Sequence, residues 1–280
     1  MNADLQLAGR SERTRKHYIG CAKLFVKHFM RSPEQLGEKE VREYLLSLMT
    51  RVRAGDLSIG RYLQYLGALK FLFKVTLRQP DVVAWIPWPK MPKKRPDVMT
   101  REEVRRVLDA ASTPFWTAFL TTAYAAGLRR MEVAALVVRD VDAPAGILRV
   151  ARGKGGKARE VMLDPELLAC LRAHWRAQGL TGVLLFPARN RGGGWKQHPV
   201  ELGQATRAFA DALRTAGIGR RLTLHSLRHA FATHLLEDGV DIFTLQQLLG
   251  HESLETTAQY TLIRTDRIRA TASPLRKLRP

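Results

Sequence analysis

The chain has 280 residues, 45% of them hydrophobic, which is enough for one large domain or for two moderate domains that each bury a core. Its 46 Lys and Arg against 26 Asp and Glu give a formal net charge of +20, and a polyanion is the natural partner of such a chain. The apolar runs are far shorter than the roughly 20 residues that span a bilayer, and no secretion signal precedes Arg10. We therefore expect a cytoplasmic protein without a membrane segment. Only Cys21 and Cys170 are present, so neither a disulfide framework nor a cysteine zinc site is expected.

The first part of the chain has the periodicity of a small all-helical domain. The first helix has apolar positions on one face at Tyr18, Cys21, Leu24, Phe25 and Phe29. The second helix repeats this spacing at Val41, Tyr44, Leu45 and Leu48. A third, capped by Ser58, carries Ile59, Tyr62, Leu66, Leu69 and Phe73. We predict a helical domain over residues 1–88, followed by a basic, proline-rich linker at 89–97.

A second domain is predicted over residues 98–280, mainly helical with a small β-sheet. It opens at Thr100, where a capping box with Glu103 precedes an apolar helix. Two short strands at 147–152 and 159–163 are joined by a turn with two lysines, Gly-Lys-Gly-Gly-Lys. Asp164 and Pro165 begin another helix. Helices are also expected at 226–238, at 242–249 and, last, around Tyr260.

The charge excess is shared by both predicted domains. Residues 1–97 contain 19 basic and 9 acidic side chains and the remainder 27 and 17, so each part carries +10. A positive charge on both units is expected if both contact a DNA phosphate backbone, because counterion release then contributes much of the binding affinity.

Five motifs follow one another in the second domain. They are AGLRRMEVAAL at 126–136, RGKGGKAR at 152–159, HSLRHAFATH at 225–234, LLGH at 248–251 and TTAQY at 256–260. In this order and spacing the set resembles the tyrosine recombinase family, whose members are phage-integrase-type or Xer-like site-specific recombinases. The resemblance implies an N-terminal helical core-binding domain and a tyrosine-recombinase catalytic domain with a C-terminal tail.

The resemblance also implies a reaction and the residues that perform it. Tyr260 would attack a DNA phosphate, giving a 3′-phosphotyrosine and a free 5′-hydroxyl, with no metal, no ATP and no other cofactor. Arg129 and Arg228 would hold the phosphate oxygens, because guanidinium groups stay charged and match phosphate geometry. His225 would act as general base or phosphate donor, and His251 as a further donor.

Two further positions of the predicted site are less well determined by the sequence. Lys154, on a glycine-flanked turn, would protonate the leaving 5′ oxygen, although Lys157 is an alternative. Glu132 lies on the same helical face as Arg129 and would orient His225 or the arginine. His225 and His229 have the spacing of two metal ligands on a helix, but the HExxH zinc motif has a glutamate where this chain has Ser226, so we expect no metal.

The predicted partner is double-stranded DNA. Seven basic residues are predicted to contact it outside the catalytic set: Arg15, Lys16, Lys93, Lys94, Arg95, Lys157 and Arg159. By resemblance the protein would act as a homotetramer on two DNA sites in the bacterial nucleoid, its C-terminal tail contacting a neighbouring subunit or, alternatively, DNA. A non-catalytic DNA-binding module and a type IB topoisomerase are the alternatives. The sequence leaves open whether the role is chromosome-dimer resolution, transposon or integron mobility, or phage integration.

Overall fold

A computed structural model describes residues 1–89, 97–151, 158–180, 182–190 and 192–250. The chain divides into two compact units, Met1–Lys93 and Lys94–Pro280. Within the described residues, no helix combines the length and the apolar character needed to cross a bilayer.

The first unit is helical, as predicted. Its helices are α1 (Asn2–Leu7), α2 (Glu12–Phe29), α3 (Glu38–Arg53), α4 (Ile59–Phe71) and α5 (Asp81–Ala84). A 3-10 turn, Pro33–Gln35, precedes α3, and a π-helical turn, Leu72–Thr76, extends α4. The Ser58 hydroxyl caps α4 by accepting a hydrogen bond from the Arg61 backbone N–H at 3.2 Å. The second and third predicted helices are confirmed in α3 and α4, and Phe73, assigned to the third, is buried in the π-helical turn that follows α4.

One apolar residue of α2 was assigned to the wrong face. Leu24 has 45% of its surface exposed, whereas Cys21, Ala22 and Phe25 are buried. Successive residues turn by about 100° around a helix axis, so Leu24 falls well outside the sector that Cys21 and Phe25 share. The core beneath α2 is aromatic: the Phe25 ring meets Tyr44 edge-on at 5.2 Å.

The second unit is mainly helical and contains two small antiparallel sheets, as the predicted fold class requires. Its helices are α6 (Arg101–Asp109), α7 (Pro114–Ala125), α8 (Arg130–Ala135), α9 (Pro165–Ala177), α10 (Leu202–Thr215), α11 (His225–Glu237) and α12 (Ile242–Leu249). Its strands are β1 (Val141–Asp142), β2 (Ile147–Val150), β3 (Arg159–Met162), β4 (Pro187–Arg189) and β5 (Trp195–Pro199). One sheet has the order β1-β2-β3 and the other pairs β4 with β5.

The local signals at the helix starts of this unit are confirmed. The capping box at Thr100 is present, with the Glu103 N–H donating to the threonine hydroxyl and the Thr100 N–H to the glutamate. The Asp164 side chain caps α9, and Pro165 is its first residue. The β4–β5 pair was not predicted, and it brings Trp195 into a stacked contact with Phe115 at 5.8 Å. The lysine-bearing turn and the predicted helix around Tyr260 lie outside the described residues.

Four chain segments meet at one place in this unit: the start of α8, the start of β3, α11 and the end of α12. The approach of α8 to α11 depends on Gly127, whose φ of +59° is left-handed. A Cβ at this position would lie 2.4 Å from the Phe231 ring of α11. A glycine here therefore lets the turn before α8 pack directly on α11.

Candidate active site

Arg129 occupies the position immediately before α8. Its backbone is extended, and Glu132 folds back over it from the first turn of the helix. The Glu132 carboxylate accepts hydrogen bonds from the Arg129 backbone N–H at 2.8 Å and from its Nη1 at 2.7 Å. One carboxylate thus orients both the backbone and the side chain of Arg129, which keeps 24% of its side-chain surface exposed.

Glu132 is also the partner of two other arginines. Arg159 donates to both carboxylate oxygens, from Nη1 at 3.0 Å and Nη2 at 2.8 Å, and Arg228 Nη1 lies 3.8 Å from Oε2. Burial acts to raise the pKa of Glu132, but the hydrogen bonds and charges of Arg159 and Arg129 outweigh it and lower the pKa to about 2. Glu132 is therefore ionised at neutral pH, although only 3% of its side-chain surface is exposed.

Arg228, on α11, has no solvent-exposed surface. It donates from Nη1 to the Gly127 carbonyl at 2.8 Å and from Nη2 to the Leu249 carbonyl at 2.5 Å. These carbonyls belong to the turn before α8 and to the last residue of α12. Arg228 therefore fixes both segments against α11.

His225 is the first residue of α11, one helical turn before Arg228 and His229. His225 is exposed, and its ring meets the His229 ring edge-on at 4.6 Å. Desolvation by the surrounding protein, reinforced by His229, Arg228 and Arg129, lowers the pKa of His225 to about 4. The imidazole is consequently neutral at pH 7.

The structure thus brings together four of the predicted site residues: Arg129, Glu132, His225 and Arg228. The predicted residues Lys154, Lys157, His251 and Tyr260 lie outside the described residues, as do Lys93, Lys94 and Arg95. Of the predicted DNA contacts in the first unit, Lys16 is exposed and paired with Glu12 at 2.6 Å, and Arg15 is half-buried on the same helix.

Arg159 was predicted to contact DNA, and the structure gives it different partners. Its side chain is only 8% exposed, and Nε donates to the Leu248 carbonyl at 2.7 Å while both Nη atoms bind Glu132. All three guanidinium nitrogens of Arg159 are thus engaged inside the protein in this structure. The signal was present in the alternation of β3, because Arg159 points to the same face as Val161, which is 3% exposed.

No group of three or more His, Cys, Asp or Glu side chains with metal-binding geometry occurs among the residues that the structure describes. Over the same residues, three guanidiniums face one carboxylate, leaving an excess of two positive charges. The cluster suits an anion with several oxygens, such as a phosphate diester.

Comparison with known proteins identifies the family. The model of the "Phage integrase family" matches residues 97–267, and that of the "Phage integrase, N-terminal SAM-like domain" matches residues 1–81. An integrase/recombinase of Sinorhizobium fredii is 39% identical over 279 residues, covering 99% of this chain and 88% of the relative. The tyrosine recombinase XerA of Pyrococcus horikoshii is 30% identical and covers 95% and 88%. The chain therefore belongs to the phage integrase family of tyrosine-type site-specific recombinases.

Solved structures agree with this assignment. A crystal structure of XerA recombinase aligns over 100% of this chain and 96% of its own, with a TM-score of 0.55 and 26% identity. A lambda integrase tetramer bound to a Holliday junction has the same fold, with a TM-score of 0.72, 20% identity and coverage of 92% and 75%. The predicted family, fold class and enzyme class are confirmed, and the function is DNA recombination through a phosphotyrosine intermediate.

Proposed function

We propose that the site performs this reaction with Tyr260 as nucleophile and with Arg129 and Arg228 as the two phosphate-binding forks. The observation that carries the proposal is that both guanidiniums lie against one buried carboxylate, Glu132, at 2.7 and 3.8 Å. Two cations held this close together can act on the two non-bridging oxygens of a single phosphate. Glu132 orients them while leaving the cluster positively charged.

In the proposed step, the Tyr260 oxygen attacks phosphorus as the bond from phosphorus to the 5′ oxygen breaks. The tyrosine loses its proton, the leaving oxygen gains one, and the products are a 3′-phosphotyrosine and a 5′-hydroxyl. Negative charge grows on the non-bridging oxygens in the transition state, where oriented guanidiniums stabilise it most. Attack of another 5′-hydroxyl on the phosphotyrosine reverses the step and rejoins the strand.

We assign proton transfer to His225 and Lys154, with His251 as a further phosphate donor. A pKa of about 4 keeps the His225 imidazole neutral, so that it can accept a proton from Tyr260. An anionic phosphate beside it favours the protonated form and would raise that pKa when DNA binds. In the sequence, Lys154 belongs to the segment that joins β2 to β3, and these strands pair in register from Val150 opposite Arg159 to Ile147 opposite Met162.

The wider assignment is that both units contact double-stranded DNA. We propose residues 1–88 as the core-binding domain, 89–97 as a basic linker and 98–280 as the catalytic domain. Backbone contacts are assigned to Arg15, Lys16, Lys93, Lys94, Arg95 and Lys157. We further propose a homotetramer on two DNA sites in the cytoplasm, with the C-terminal tail on a neighbouring subunit; the tetrameric state of lambda integrase supports this.

The test is covalent capture on a nicked suicide DNA substrate, run with the full chain in EDTA. A protein–DNA adduct whose attachment maps to Tyr260 supports the proposal, and Tyr260→Phe should abolish it while DNA binding persists. An adduct at another residue would overturn the assignment of the nucleophile, and a reaction that stops in chelator would overturn metal-independence.

The two candidate acids can be separated by changing the leaving atom. A substrate with sulfur in place of the bridging 5′ oxygen needs no proton donor, because a thiolate is a far better leaving group. Lys154→Ala should therefore be slow on the oxygen substrate and close to wild type on the sulfur substrate. The same pattern in Lys157→Ala, with Lys154→Ala unaffected, would transfer the role to Lys157.

A further inference from the structure

We propose that Arg159 is a positioning residue of the recombination reaction, joining the carboxylate that orients Arg129 to the end of α12 from which the chain continues to His251. This inference rests on the proposed function, because it concerns the same site. It gives a role in the reaction to a residue that the sequence suggested only as a DNA contact.

The first part of the argument is the number of segments that one guanidinium joins. Nη1 and Nη2 bind Glu132 at the start of α8, and Nε binds the Leu248 carbonyl in the last turn of α12. The residue itself begins β3, directly after the segment that carries Lys154 and Lys157. Three of the five motifs therefore meet at Arg159.

The second part concerns how the end of α12 is held. The carbonyls of Leu248 and Leu249 lack partners within the helix at this position, as the final carbonyls of any helix do. Arg159 binds the first at 2.7 Å and Arg228 binds the second at 2.5 Å. His251 follows only two residues after Leu249 in the sequence. Fixing these carbonyls therefore fixes the point from which His251 departs.

The third part is the close fit of Gly250 against Arg159. Gly250 ends α12 in a left-handed conformation, with φ of +61°. A Cβ there would lie 2.9 Å from Arg159 Cδ. The arginine side chain therefore packs directly against the end of α12, with no room for a larger residue at position 250. Only the planar fork of an arginine can serve Glu132 with two nitrogens and a carbonyl with the third; a lysine has one nitrogen.

The experiment measures adduct formation in single turnover on the suicide substrate, using the full chain. The variants are Arg159→Lys and Arg159→Ala. The matched control is Arg149→Ala, which removes an exposed arginine from the neighbouring strand β2, where it pairs with Asp142 and Glu160. The rate constant and the amplitude are recorded separately, since misfolding lowers the fraction that reacts, whereas poor positioning slows every molecule.

We expect Arg159→Lys to lower the rate constant by roughly 100-fold, because misplacement of about 1 Å has that order of effect, with the amplitude and DNA affinity retained. Arg149→Ala should match the wild type. A wild-type rate in Arg159→Lys would overturn the inference, and so would a reduced amplitude with an unchanged rate. If the wild type itself forms no adduct, the proposed function fails instead.

A pair of glycine variants provides a second route if Arg159→Ala does not fold. Gly250→Ala places a Cβ against the Arg159 side chain. Gly239→Ala also puts alanine at a positive φ, at the end of α11, but its Cβ has nothing within 4 Å. The rate constant should fall in Gly250→Ala and stay at the wild-type value in Gly239→Ala. Adding Gly250→Ala to Arg159→Lys should lower the rate constant by a smaller factor than adding it to the wild type, because both changes act on one contact. Equal rates for the two glycine variants, or strictly additive effects, would count against the inference.

Discussion

Replacing Glu132 with glutamine removes the carboxylate at which Arg129, Arg159 and Arg228 meet and keeps the volume of the side chain. The pKa of Glu132 is lowered from 4.5 to about 2 in the folded protein. A lowered carboxylate pKa contributes stability that is present above the unfolded pKa and is lost as the pH falls toward the folded one. At about 1.4 kcal/mol per pKa unit, the contribution near pH 7 is about 3 kcal/mol.

The loss should be visible in urea unfolding of the full chain at pH 7. Trp85 and Trp88 belong to the first unit, so changing both to phenylalanine leaves fluorescence that reports the second unit through its remaining tryptophans. In this background we expect Glu132→Gln to lower the free energy of unfolding by about 3 kcal/mol, in line with breaking a buried ion pair. Glu160→Gln, on an exposed carboxylate of β3, should change it by less than about 0.5 kcal/mol.

The pH dependence decides whether the ion cluster is the cause. The stability gap between wild type and Glu132→Gln should narrow between pH 4.5 and about 2, where the wild-type carboxylate loses its advantage over the unfolded chain. A gap that stays constant over this range would refute the electrostatic reasoning and point to lost packing. A gap below about 1 kcal/mol at pH 7 would show that Glu132 does not stabilise the arginines.

Three further changes test separate parts of the second unit. Gly127→Ala combines a left-handed φ with a Cβ 2.4 Å from the Phe231 ring, and urea unfolding should show a loss of at least about 3 kcal/mol. Tyr124→Phe removes the hydroxyl that lies 2.9 Å from His234 Nδ1, and the same measurement should show a loss of about 1 kcal/mol. Because the pKa of His225 is lowered to about 4, its neutral form is favoured by folding, so its contribution to stability falls as pH drops from 6.5 toward 4. NMR titration of its ring should give a midpoint near 4. His225→Gln should remove the part of the stability loss between pH 6.5 and 4 that comes from this histidine.

The sequence predicted the elements whose signals are local. A capping box at Thr100, an Asp-Pro start at Asp164 and glycines after α11 and α12 each act within a few residues, and the structure has helix ends at all of them. The pairing of β4 with β5 carries little local signal: their strands are short, glycines separate them, and the pair is stabilised by a distant contact of Trp195 with Phe115. A pattern read along one segment cannot show such a contact.

The same limit explains why the sequence did not predict Glu132 as the partner of Arg159. Composition marks any arginine near a lysine-rich turn as a DNA contact, and the buried partner that overrides this, Glu132, lies 27 residues earlier in the chain. The family motifs place Arg129, His225 and Arg228 by their spacing. How Arg228 is oriented depends on the carbonyls of Gly127 and Leu249, which no side-chain pattern reports.

An arginine cluster that binds DNA phosphate, as we propose for this one, and also keeps its geometry without DNA has two electrostatic requirements. Its guanidiniums repel one another when no anion is present, so a fixed carboxylate is needed to keep them together, and Glu132 supplies it. Full neutralisation would remove the attraction for phosphate, and one carboxylate among three guanidiniums avoids this. Glu132→Gln should therefore separate binding from chemistry: DNA affinity in a filter-binding assay should stay equal or rise, because a negative charge is lost. The rate of adduct formation should fall at least about 10-fold, because Arg129 loses the contact that orients it. Weaker binding together with an unchanged rate would contradict both halves of this argument.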